Sequence, residues 1–211
     1  MKVLLVNGSP NKNGCTFTAL SQVALELEKQ GVETEMFYIG NKAVRDCIGC
    51  NGCRRDGKKT ERCVFADDGV NEFLEKAAEC DGFVFGTPVY YAHPSGRVLS
   101  FLDRAFYAGS EIFWGKPGAS VVSARRAGTT ASFDVLNKYF TISGMPVVSS
   151  SYWNNVHGNT PEEVMQDKEG LQIMRNIGKQ MAWILKCIDA GRESGIDLPE
   201  REKTISTNFI R

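Results

Sequence analysis

Four of the chain's seven cysteines fall within CIGCNGCRRDGKKTERC, positions 47–63. The first three, Cys47, Cys50 and Cys53, keep the spacing C-x2-C-x2-C, and Gly49 and Gly52 let a chain turn that sharply. Thiolates at this spacing can face a common centre, and a fourth completes either a tetrahedral zinc or a cubane iron-sulfur cluster. Cys63 is the available fourth, but nine residues, RRDGKKTER, separate it from Cys53. Their positive charge would lower thiol pKa values, which suits a redox couple as well as a metal. The odd cysteine count argues against a disulfide framework. Three readings stay open: a metal site at Cys47, Cys50, Cys53 and Cys63, a redox thiol couple, and thiols that serve neither.

A second candidate follows the short apolar run at 2–6, where GSPNKNGCT packs glycine, serine, asparagine and threonine into a turn that opens a helix. Backbone amides and hydroxyls at a helix start make a phosphate site. A Walker loop needs lysine and then serine or threonine after its last glycine, whereas Gly14 precedes Cys15 and Thr16, and G-x-G-x-x-G is absent. Such a loop holds a terminal phosphate without cleaving it. The plain alternative is a capped turn in which Ser9 and Thr16 satisfy backbone groups.

Two further turns could take a flat ring. In TPVYYAHPSG, Pro88 stiffens the backbone beside Val89, and Tyr90 and Tyr91 offer aromatic faces. The alternative places both tyrosines in the core or in a subunit contact. In SARRAGTT, from Ser123 through Gly128, Arg125 and Arg126 could meet an anionic reduced ring or a pyridine-nucleotide phosphate. The alternative is solvated surface.

These loops need a frame. Strand-like runs at 2–6, 33–38, 82–86, 119–123 and 146–150 alternate with helical periodicity at 17–30, 70–80, 95–107, 132–142 and 161–191. That alternation predicts an α/β domain over 1–195: a doubly wound, five-stranded parallel sheet with helices on both faces and the cysteine insert, 40–68, after strand two. The tail, 196–211, is polar and is expected to wrap a neighbour or fray. Ligands of such sheets sit at the carboxyl ends of strands where the winding reverses, which selects the loops after strands one, three and four.

Composition narrows the function. Basic and acidic residues balance at 25 each, so no overall field favours nucleic acid or an anionic membrane. The opening MKVLLVNGSP carries too short an apolar run for a signal peptide or a span, and a cytoplasmic location is expected. His93 and His157 are too few and scattered for a hydrolytic triad. Cys80 and Cys187 fall in helical apolar patterns and are expected to be buried. Asp67 and Asp68 precede a helix as expected N-caps, and Asp103 and Arg104 are expected to form an ion pair.

Together the three loops resemble the NADPH-dependent FMN reductase and iron-sulfur flavoprotein family, which has a flavodoxin-like fold. GSPNKNGCT is similar to its phosphate loop, TPVYYAHPSGRVLSFLDR to its ring loop and following helix, and the cysteine insert to its iron-sulfur branch, over about the first 150 residues. The resemblance implies that Ser9, Asn11, Gly14, Cys15 and Thr16 hold the FMN phosphate. It implies further that Pro88, Val89, Tyr90 and Tyr91 line the isoalloxazine and that Ser123, Arg125 and Gly128 close its other side. Family members usually carry asparagine where Cys15 stands, and often a glycine-rich turn in place of Arg125 and Arg126.

The leading expectation is an oxidoreductase in which NADH or NADPH gives a hydride to FMN, which passes electrons to a small molecule or redox protein. The alternatives are an electron carrier using a [4Fe-4S] cluster on the cysteine loop and a non-enzymatic flavodoxin-type shuttle. A homodimer or homotetramer is implied, with Phe113, Trp114, Trp153 and Trp183 as candidate contact aromatics or, equally, residues buried within the monomer.

Overall fold

Strand β1 (Lys2–Asn7) reads KVLLVN because both of its faces are covered. Val3 and Leu5 enter one core and Leu4 and Val6 the other, following the two-residue period of a strand. The computed structural model describes residues 1–211 apart from Asp56, Gly57, Lys203, Thr204, Ser206, Asn208, Ile210 and Arg211. After β1 come α1 (Cys15–Lys29), β2 (Glu33–Tyr38) and the insert with two short paired strands, β3 (Arg54–Arg55) and β4 (Lys58–Lys59). Next are α2 (Val70–Ala78), β5 (Gly82–Tyr90), β6 (His93–Pro94), α3 (Gly96–Ala108) and α4 (Ser110–Phe113). The chain continues through β7 (Gly118–Ala124), α5 (Thr129–Ile142), β8 (Asn155–His157), α6 (Pro161–Val164) and α7 (Lys168–Glu193).

Five strands pair in parallel in the order β2-β1-β5-β7-β8, the expected doubly wound arrangement, and β6 adds a sixth, antiparallel to the end of β5. The chain leaves β1 first for β2 and then crosses back to β5, so the winding reverses at the carboxyl ends of β1 and β5. On one face α1 and α7 cover Val3, Leu5 and Val84 with Leu20, Val23, Ile177 and Met181. On the other, α2, α3 and α5 cover a core rich in phenylalanine, with Phe73 5.2 Å from Phe101 and 5.5 Å from Phe37 between ring centroids. Edge-to-face rings at such distances add to burial worth about 1.5–3 kcal/mol per side chain.

Several expectations are corrected. The fifth strand lies at Asn155–His157, not 146–150. The apolar run there makes a single bridge, Val147 to Gly118, before the chain loops out through Tyr152 and Trp153 and rejoins β7. The helical region 161–191 is two helices, because Asp167 caps α7 by accepting from the Gly170 amide. Asp67 and Asp68 do not cap α2. Gly69, at φ +79°, takes that position, and Asp68 pairs with Arg104. Adjacent helical side chains diverge, so Asp103 accepts from Tyr139 instead of meeting Arg104. Of the four candidate aromatics, Phe113 takes the buried alternative, stacked on Phe106 at 4.2 Å in the core, whereas Trp153 and Trp183 are exposed.

The start of the tail, through Arg201, lies back on its own domain, whereas Ile205 and Phe209 are exposed. Leu198 packs over Gly115, and Arg201 stacks on Trp114 at 3.8 Å while bonding Glu111 at 3.0 Å. Among the described residues no helix is long and apolar enough to cross a membrane.

Candidate functional site

Asn7 is where the first loop is set. Its side chain donates to Lys12 O at 2.9 Å and accepts from the Ser9 amide at 3.0 Å, and Ser9 Oγ in turn accepts from the Asn11 amide at 3.1 Å. Tyr38, at the end of β2, donates its hydroxyl to Pro10 O at 2.6 Å. Gly8 must be glycine: a Cβ there would lie 2.1 Å from Val98 Cγ2 and 2.7 Å from Gly86 O. The loop ends at Gly14, the extended N-cap of α1, with no side-chain cap on the helix. The first amides of α1 thus take no side-chain acceptor, the arrangement a bound anion can use.

Thr16 Oγ1 and Ser123 Oγ are 2.7 Å apart, both residues buried, which ties the start of α1 to the end of β7. The Thr16 hydroxyl is therefore engaged beneath the loop. Cys15 Sγ donates to Gly158 O at 3.6 Å, and burial raises its pKa, keeping it a neutral thiol.

The loop after β5 is a tight hairpin with β6. Tyr91 and Ala92 stand at φ 52° and 58°, conformations uncommon outside glycine, and Tyr91 is fully exposed with Tyr90 about half so. The tyrosines thus pack neither in the core nor under the loop. Pro88 and Val89 are half-buried at the hairpin base. Thr87 holds the turn, accepting from the Ser95 amide at 3.2 Å. The loop after β7 meets this hairpin at Gly128, where a Cβ would fall 2.5 Å from Ala92 Cα and 2.8 Å from Val89 Cγ1. Arg125 and Arg126 beside it are exposed. The structure thus joins Ser9, Asn11, Gly14 and Thr16 to Ser123, and Val89 to Gly128, at the carboxyl ends of β1, β5 and β7.

The four cysteines of the insert lie elsewhere, around one pocket over the far end of α3 that Arg104 and Tyr107 also line. Gly49 and Asn51, at φ 63° and 55°, supply the sharp turns. Cys53 is buried, Cys63 half-buried, Cys47 and Cys50 exposed. Burial raises the Cys53 pKa, with Cys63 and Cys47 adding to the rise against Arg54, so the local basic residues do not make it a ready thiolate as the sequence suggested. Among the described residues, no three histidine, cysteine or acidic side chains converge closely enough to hold a metal ion in this arrangement.

Three residues that sequence reasoning missed fix this pocket. Asn71, buried on α2, accepts from the Cys63 amide at 2.7 Å and donates to Cys63 O at 2.9 Å. Arg104 donates Nε–H to Cys63 Sγ at 3.3 Å and also bonds Phe65 O and Asp68. Asn71 and Arg104 meet Cys63, and Asp68 meets Arg104, through the fold alone.

Alkylation should separate the thiols. Cys47, Cys50 and Cys187 are exposed, the last against expectation, because Met181, Ala182 and Leu185 carry the buried stripe of α7 past it. Cys80 is buried, as expected, and desolvation pushes its thiol up to about 11. At about pH 8, peptide mass spectrometry should find iodoacetamide on Cys187 and none on Cys80 until denaturant is added. Equal labelling of the two would show that the β1–α2 side opens in the native state.

An open parallel sheet whose phosphate-type loop faces an aromatic hairpin defines a flavodoxin-like protein. The comparisons agree. Residues 1–160 match the family model of the NADPH-dependent FMN reductases, and the chain belongs to that family. An iron-sulfur flavoprotein of Methanocaldococcus jannaschii is 32% identical over 196 residues, covering 89% of this chain and 99% of the relative. One from Clostridioides difficile is 28% identical over 152 residues, 71% of this chain and 66% of the relative. Among solved structures, RosB with bound 8-demethyl-8-formylriboflavin-5'-phosphate superposes with a TM-score of 0.68 at 16% identity, covering 100% of this chain and 94% of RosB. An archaeal flavodoxin does so with a TM-score of 0.60 at 17% identity, over 88% and 99%. These structural likenesses concern the fold.

Proposed function

We propose that the chain is a flavin-dependent oxidoreductase that binds FMN where the loops after β1, β5 and β7 meet and moves electrons between NADH or NADPH and a second acceptor. The observation that carries this is the meeting itself: the uncapped start of α1, tied to β7 through Thr16 and Ser123, lies at the same carboxyl end of the strands as an exposed tyrosine hairpin. Those residues fit the cofactor. The first amides of α1, with Ser9, Asn11 and Gly14, would take the phosphate, Cys15 and Thr16 contributing through their backbone. Pro88, Val89, Tyr90 and Tyr91 would support one side of the isoalloxazine, and Ser123, Arg125 and Gly128 the other. Bound FMN supplies hydride acceptance and single-electron release, so the chain needs no acid or base of its own. Its work is to bind and orient the ring and to exclude water from it. Arg125 and Arg126 offer a pyridine nucleotide's phosphates a bidentate partner.

A single-electron role is favoured by the second pocket. Four thiols around it, with left-handed turns at Gly49 and Asn51 between the first three, would form the donor set of a [4Fe-4S] cluster at Cys47, Cys50, Cys53 and Cys63. That the thiols do not converge by themselves accords with metal sites that complete their folding on loading. The acceptor is then a small molecule or a redox protein, and a homodimer or homotetramer in the cytoplasm is the expected form.

Protein purified without oxygen and assayed for flavin, iron and acid-labile sulfide tests both parts. FMN near one per chain with about four iron and four sulfide, the metal lost in Cys50→Ser, is the expected result. NADH or NADPH should bleach the flavin absorbance. FMN without iron would remove the cluster and leave the reductase, and absence of FMN would overturn the function.

A further inference from the structure

The nine residues between Cys53 and Cys63 raise the problem of how a remote fourth ligand could be placed. The structure answers with the core, not the loop. Asn71 grips both backbone polar groups of Cys63, as an amide side chain can when its donor and acceptor meet a peptide in register. Arg104, the largest fully buried side chain among the described residues, reaches the Cys63 sulfur from α3. Its other contacts leave it one pose: Nη1 to Asp68 and to Arg45 O at 3.3 Å, Nη2 to Phe65 O at 2.8 Å, with the Phe65 ring 5.6 Å from its guanidinium carbon.

We infer that Arg104 is a positioning residue for the cysteine pocket, holding the Cys63 sulfur toward the other three thiols and setting, through its fixed positive charge, the reduction potential of an iron-sulfur cluster bound there. The inference rests on the cluster reading above. Arginine does not lose its proton in proteins, so its charge is constant over any working pH. A hydrogen bond and a positive charge on a ligand sulfur both favour the reduced cluster, which carries one more negative charge, and such outer contacts tune potential and retention. Asp68 keeps the guanidinium oriented, and no residue of the insert's hairpin is needed for the contact.

The test uses anaerobically purified protein, with FMN content and circular dichroism as the check on folding. The readouts are iron retained against a chelator and the cluster midpoint potential in a dithionite titration followed by electron paramagnetic resonance. Arg104→Gln should lower the midpoint potential and weaken iron retention about 10- to 100-fold. Arg104→Lys keeps the charge and loses the flat Nε donor, and should retain most of the potential while losing iron faster. Should the glutamine variant not fold, the lysine variant decides: faster iron loss supports the inference, and wild-type retention overturns it. Wild-type potential and retention in a folded Arg104→Gln protein would also overturn it while leaving the cluster reading intact. A wild-type protein that takes up no iron would overturn both.

Discussion

Phe73→Ala is expected to cost about 3–5 kcal/mol of folding stability, the range for emptying a fully buried phenylalanine site. Phe73 has no exposure and sits on α2 among four other rings: Phe101 at 5.2 Å, Phe37 at 5.5 Å, Phe85 at 6.0 Å and Phe113 at 6.2 Å. These partners come from α3, β2, β5 and α4, so collapse into the cavity would have to move several elements together. Little relaxation means the upper part of that range. Urea unfolding of FMN-free protein measures it, since a bound ligand would add its own stabilisation. The midpoint should fall while the slope holds. Ile142→Ala, at a side chain exposed at the end of α5, should stay within about 0.5 kcal/mol of wild type. A Phe73→Ala loss below about 1 kcal/mol would show that the ring cluster is loosely packed.

Arg104→Met alone should be as damaging, by about 3–5 kcal/mol, for a different reason. The side chains of Arg104 and Asp68 are 1% and 7% exposed. Asp68 Oδ1 is already one of two buried side-chain oxygens without a partner among the described residues. Methionine would leave the whole carboxylate buried without its counter-charge and the Arg45 carbonyl without the Arg104 donor, while Phe65 O would keep only its longer bond from Asn71. Pairing it with Asp68→Asn removes the stranded charge. The double variant should therefore regain a large part of the loss, a coupling that denaturation of the two singles and the double measures directly. Simple addition of the two single effects would mean the pair does not interact as its geometry indicates.

How far the sequence reveals this molecule depends on the range of the interactions. β1 and the helices were legible because a buried strand and an amphipathic helix write their burial into consecutive residues. The loops after β1, β5 and β7 were legible for the same reason: glycine, proline and small polar residues mark turns locally. The fifth strand misled because Pro146, Val147 and Val148 look like a strand, yet pairing with β7 resumes only after the chain bulges through Tyr152 and Trp153. Cys187 misled because a helical stripe drifts, and α7 turns it outward. Asp68 and Arg104, 36 residues apart, carry no local mark of their partnership. The exposure of Tyr90 and Tyr91 was equally unreadable, since an aromatic pair looks alike in a core or on a surface.

The grip of Asn71 on Cys63 also bears on how such an insert changes over time. Because α2 and α3 fix the fourth thiol, and Thr60 bonds back to Cys53 O to close the intervening stretch at its base, the length of that stretch does not determine where Cys63 stands. Insertions and deletions there are free to accumulate without moving the donor. Across descendants of one ancestor the interval between third and fourth cysteine can drift, while the asparagine and arginine that hold the last one stay put. A signature for such pockets is then better drawn from the scaffold beneath the loop than from the count of residues within it.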